Sequence, residues 1–154
     1  MMSLVPPPRP TAEETAELAG RLRLAVTRLA RQLRQTSDTD LSPTQASVLA
    51  TVGGSGPLTL GELAELERVA SPTITKVIAL LHEKGLVDKI TDAADRRFVR
   101  VQLTAAGEAL VERTRARKTA WLARQIQGLS PSEIERLVAA TDVLEHLTTR
   151  KASR

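Results

Sequence analysis

The chain has 154 residues, 42% of them hydrophobic and 1% aromatic, so its core must be assembled from Leu, Val, Ile and Ala. No cysteine is present, and the two histidines, His82 and His146, lie far apart; disulfides, thiol redox sensing and a cysteine- or histidine-rich metal site are excluded. The net charge of +4 is uneven, because residues 84–124 carry ten Lys/Arg against five Asp/Glu. That local excess points to a polyanion, with nucleic acid first and an anionic membrane second, although a solvated charged face has the same signature.

The opening MMSLVPPPRP has neither the apolar run nor the early basic cluster of a secretory signal, and its prolines predict an extended arm over 1–10. No stretch approaches the roughly 20 apolar residues of a membrane span, so a cytoplasmic protein without a membrane partner is expected. Thr11, with Glu14 three residues on, is a capping box. It opens a first helix with apolar residues at Leu18, Leu22, Ala25, Leu29 and Leu33. Ser42, Pro43 and Gln45 repeat the device for a second helix, carried by Ala46, Val48, Leu49 and Val52 to Gly53-Gly54. Thr59 caps a short third helix that turns Leu60, Leu63 and Ala64 inward.

A fourth helix is predicted over 71–84, ending at Gly85, with the core stripe Ile74, Val77, Ile78 and Leu81. On a helical wheel Pro72, Lys76, Ala79 and Glu83 lie opposite that stripe, and Thr73 and Thr75 flank it. Residues 86–91 and 98–103 read as a hairpin around a loop at 92–97. Thr104 then caps a long helix to about Gly128, with Leu110, Val111, Trp121, Leu122 and Ile126 on its apolar side. Ser130-Pro131-Ser132-Glu133 starts a last helix through Ile134, Leu137, Val138, Leu144 and Leu147, and 149–154 form a frayed tail.

Two helices around a tight turn followed by a hairpin match a winged helix-turn-helix, whose second helix presents its N-terminal end to the major groove. Ser71, Thr73 and Thr75 supply hydroxyls for phosphates or base edges, Pro72 shares their surface, and Lys76 adds a cation one turn in. A helix N-terminus itself favours anions. At the loop tip an arginine suits a narrow minor groove, and Asp95 can aim the guanidinium of Arg97. The competing readings are a plain amphipathic helix and an exposed ion pair worth about 0–1 kcal/mol.

Three stretches carry a family likeness: LSPTQ at 41–45, LTLGELAELERVASPTITKVIALLHEKGLV at 58–87 and DAADRRFVRVQLT at 92–104, with Gly107 after the last. In this order they make the chain resemble the MarR family of bacterial transcriptional regulators from about residue 12 to 148. The resemblance implies a mainly α (α+β) fold. Its winged helix-turn-helix DNA-binding region is 41–103, and its helical dimerisation region combines 11–40 with 104–148. It also implies a homodimer on a near-palindromic double-stranded DNA operator. The family's Asp-x-Arg wing pattern falls on Asp95 and Arg97, making Arg97 the minor-groove residue, with Arg96 the alternative as a second cation at the tip. Many members bind small aromatic or lipophilic effectors in a cleft between the two regions.

Dimerisation has independent support, because a monomer would leave the apolar stripes of the first, fifth and sixth helices partly bare. Trp121 is expected to pack in that region. The run Arg113, Arg115, Arg117, Lys118 and Arg124 reads as a solvated face, an interface or a lining for an anionic effector. A repressor is the leading expectation, and a winged-helix module binding an acidic protein partner is the alternative. No nucleophile–base pair, phosphate-cradling glycine loop or metal cluster is evident, so no catalysis, cofactor or metal is expected.

Overall fold

The computed structural model describes residues 9–37, 39–91 and 98–149. Six helices and three strands follow in order: α1 (Ala12–Gln35), α2 (Pro43–Ser55), β1 (Leu58–Thr59), α3 (Leu60–Glu67), α4 (Ser71–Glu83), β2 (Val87–Thr91), β3 (Val99–Leu103), α5 (Ala105–Gln127) and α6 (Pro131–Thr149). The fold is mainly helical with a small antiparallel sheet, as expected.

The helix starts follow from local chemistry. Thr11 Oγ1 accepts from the Glu14 N–H at 3.2 Å while the Glu14 carboxylate accepts from the Thr11 N–H at 2.8 Å. Ser42 with Gln45 and Thr59 with Glu62 close the same reciprocal pair at α2 and α3. Each cap stabilises its helix by about 1 kcal/mol by satisfying amides that have no intrahelical partner. At α6 the Glu133 carboxylate accepts from both the Ser130 N–H and hydroxyl, at 2.9 and 2.7 Å.

The core lies between α2, α3, α4 and the sheet. Leu63, Ile74, Ile78, Leu81, Val48, Val52, Val87 and Val101 are fully buried, and Leu41, Leu60, Val69, Leu103, Leu110 and Val111 pack around the cluster. The predicted stripe of α4 is thus the face that faces inward. Gly85 ends this helix at φ 70, a left-handed conformation that glycine adopts without steric cost, and the Leu86 N–H returns to the Leu81 carbonyl at 3.0 Å.

Three details differ from the sequence reading. The sheet has the order β1-β3-β2, and β1, pairing Leu58 with Val101 and Thr59 with Arg100, was not foreseen. Two residues carry no periodicity to detect. The second helix runs through Gly53-Gly54 to Ser55. At Gly53 an added Cβ would meet Leu103 Cδ1 at 3.1 Å and Val111 Cγ1 at 3.5 Å, so the glycine marks close packing and not a helix end. The hairpin strands start one residue later than expected, at Val87 and Val99.

Thr104 joins α5 to this core. Its Oγ1 accepts from the Gly107 N–H at 3.0 Å and donates to the Gly85 carbonyl at 2.6 Å, while its N–H donates to the Leu86 carbonyl at 3.1 Å. By contrast α1 and α6 contain no buried residue. Among the described residues, no helix is long and apolar enough to cross a membrane.

Candidate nucleic-acid interface

With Ile74, Val77, Ile78 and Leu81 turned into the core, α4 exposes Ser71, Pro72, Thr73, Thr75, Lys76 and Ala79. Five of the residues picked from sequence therefore share one open surface near the start of one rigid helix. Leu80 and the late-helix His82 are also exposed on α4.

The first turn is less open to anions than the sequence implied. Pro72 has no N–H, and the Thr73 and Ile74 amides both donate to the Ala70 carbonyl, at 2.9 and 3.3 Å. The Thr75 hydroxyl donates its proton to the Ser71 carbonyl at 3.0 Å. In this rotamer Thr75 offers lone pairs and not a proton, which suits a base amino group better than a phosphate. Lys76 remains an exposed cation beside them.

The hairpin stands next to α4. β2 and β3 pair antiparallel from Val87 opposite Leu103 to Thr91 opposite Val99. The wing residues singled out from sequence, Asp95, Arg96 and Arg97, lie outside the described residues. The base of the wing is tied down by Arg100, whose Nη1 donates to the Pro57 carbonyl at 3.3 Å and pairs with the Glu62 carboxylate at 3.2 Å. Glu62 is the residue that caps α3 through Thr59. Pairing between β1 and β3 sets Thr59 opposite Arg100 and so brings Arg100 to Glu62.

A second contact invisible to sequence joins α2 to α3, where the Glu67 carboxylate accepts from Ser47 and Thr51. Away from α4, a cavity of about 270 Å³ opens between the α1–α2 connection, α2 and α5, floored by Leu41, Leu49, Leu110 and Val111. Arg115 and Lys118 stand on its wall. A neighbouring cavity of about 590 Å³ shares Lys118 and adds Arg31 and Arg34. No carboxylate of the described residues lines either space. No described group of His, Asp or Glu side chains could hold a metal ion.

A family model described as MarR family matches residues 39–97. An HTH-type transcriptional regulator of Mycobacterium tuberculosis is 39% identical over 133 residues, covering 86% of this chain and 93% of the relative. The chain belongs to the MarR family. It is therefore a DNA-binding transcriptional regulator. A putative transcriptional regulator of Pseudomonas aeruginosa shares the fold with a TM-score of 0.80 at 31% identity, over 92% of this chain and all of that one. A MarR family protein of Bacillus stearothermophilus does so with a TM-score of 0.81 at 25% identity and the same coverage.

Proposed function

We propose that this MarR-family regulator works in the cytoplasm as a homodimeric repressor on a near-palindromic operator. Two copies join through α1, α5 and α6. Each sets the start of α4 into a major groove, with Ser71, Pro72, Thr73, Thr75 and Lys76 against bases and backbone. The wing reaches the adjacent minor groove with Arg97, or with Arg96, and Asp95 orients the guanidinium. The observation that carries this reading is the exposed hydroxyl and cation surface of α4, held over a core that buries the helix's opposite side.

The bare apolar sides of α1 and α6 support the dimer. Among the described residues, neither α1 nor α6 buries a single side chain, and a helix with a bare apolar side is covered in a stable fold. The apolar residues left uncovered there include Leu18, Val26, Val138 and Val143. The cavity beside α5 supports a small-molecule effector of aromatic or lipophilic character. Its cationic wall favours one that also carries negative charge.

The test is a mobility-shift titration of the full chain on duplex from its own upstream region at several salt concentrations. A specific shift that weakens steeply with salt is expected. Lys76→Ala should reduce the logarithmic salt slope by about one contact, and Arg97→Ala should weaken binding with the fold intact. Failure to shift any candidate fragment at any salt concentration overturns the reading. For the effector, benzoate should release DNA where neutral benzamide does not; equal effects would rule out selection by charge.

A further inference from the structure

We propose that Glu67 is the positioning residue of the DNA-reading helix: by gripping α2 it fixes the turn that aims α4. This rests on the reading of α4 as the helix that contacts DNA. Glu67 is the last residue of α3, and both its carboxylate oxygens are engaged. Ser47 Oγ donates to one at 2.7 Å and Thr51 Oγ1 to the other at 2.5 Å. The two donors stand four residues apart on one side of α2, so together they fix the carboxylate in orientation as well as in distance.

The path of the chain beyond Glu67 explains why such a grip matters. Arg68 turns the chain at φ 55, in the left-handed region, and the Val69 N–H bonds back to the Ala64 carbonyl at 3.1 Å. The next helix then starts with Ala70 as its N-cap and no side-chain cap bond. α1, α2 and α3 each begin in a reciprocal capping box; α4 does not. Its core stripe supplies burial, which is not directional. Beside the backbone bonds of the turn, the carboxylate fork one turn upstream adds a directional side-chain restraint on the entry to α4. No described Lys or Arg forms an ion pair with Glu67.

Three variants of the full chain test the assignment: Glu67→Ala, the pair Ser47→Ala with Thr51→Ala, and Glu67→Gln. Affinity is measured for the operator and for random duplex, and amide exchange across residues 68–75 is measured without DNA. Both alanine variants should bind the operator roughly tenfold more weakly, leave random-duplex binding within about twofold, and exchange faster at 68–75. Glutamine still accepts one hydroxyl and can donate to the other, so it should stay within about threefold of the parent.

Removing a negative charge near DNA would by itself tighten binding to both duplexes, so a gain in affinity for Glu67→Ala overturns the proposal. If that variant fails to fold, the hydroxyl pair decides, because alanine is well tolerated within a helix. Unchanged exchange at 68–75 in the hydroxyl pair also overturns it, whatever the DNA titrations give. A parent chain that bound no operator would instead count against the DNA reading alone.

Discussion

A Cβ placed on Gly107 would collide with the backbone oxygen of Leu86 and lie 3.1 Å from its carbonyl carbon. That oxygen also accepts the Thr104 N–H, and Leu86 leads directly into β2. Neither side can retreat without pulling the wing or the start of α5. Gly107→Ala should therefore destabilise the fold by at least about 2 kcal/mol, as overpacking against backbone does. Urea unfolding measures this, and a midpoint equal to the parent's would show that the joint is not tight.

Arg68 makes the opposite prediction. It holds φ 55 at the helix-turn-helix bend, where a side chain costs about 1–2 kcal/mol and glycine costs nothing. Glycine gives back roughly 0.4–1 kcal/mol through a more flexible unfolded chain. Arg68→Gly should thus raise stability by about 0.5–1 kcal/mol on balance. A lower melting temperature would mean that the arginine side chain contributes more than its strain removes.

Acid should loosen two helix starts and spare a third. The Glu14 carboxyl is held below the ordinary glutamate range by the Thr11 backbone N–H first and the Thr11 side chain second. At Glu133 the Ser130 hydroxyl leads and the Ser130 N–H comes second. Since folding lowers both values, the stabilisation is present above the unfolded value of about 4.3 and is lost as pH falls through the lower folded value. The first turns of α1 and α6 should fray below about pH 4. The start of α2, capped by neutral Gln45, should not. Amide exchange at the three starts compares them directly, and an equal acid response at α2 would contradict this cause.

Val138 stands 59% exposed on α6. If that surface is covered by a second copy, each dimer buries the exposed part of two such side chains, worth about 1–2 kcal/mol each. Val138→Lys should then weaken self-association by roughly a hundredfold or more. Sedimentation of parent and variant measures the change. A parent that sediments as a monomer at micromolar concentration would remove the basis for the dimer.

The two parts of the candidate interface differ in how much of each could be read from sequence. The exposed surface of α4 was legible because a helix of known phase turns Ser71, Thr73 and Lys76 away whenever Ile74, Val77, Ile78 and Leu81 turn in. Arg100 was not legible as a tether. Its partner Glu62 is 38 residues away and reaches it only once β1 has paired with β3. The same holds for Glu67, whose partners Ser47 and Thr51 lie 20 and 16 residues back on another helix. The wing residues Asp95, Arg96 and Arg97 rest on the sequence pattern alone.

By itself the chain determined its helix starts, the inward stripe of α4 and the glycine that ends it, because each depends on groups within about four residues of one another. Tertiary structure alone decided that Gly53 and Gly107 are points of close approach, that α2 grips the end of α3, and that a cation-walled cavity opens beside α5. The reason is that these features join backbone and side chains brought together only by burial of the common core, and burial is not directional. A pattern of apolar residues says that a side is covered, not which atoms cover it.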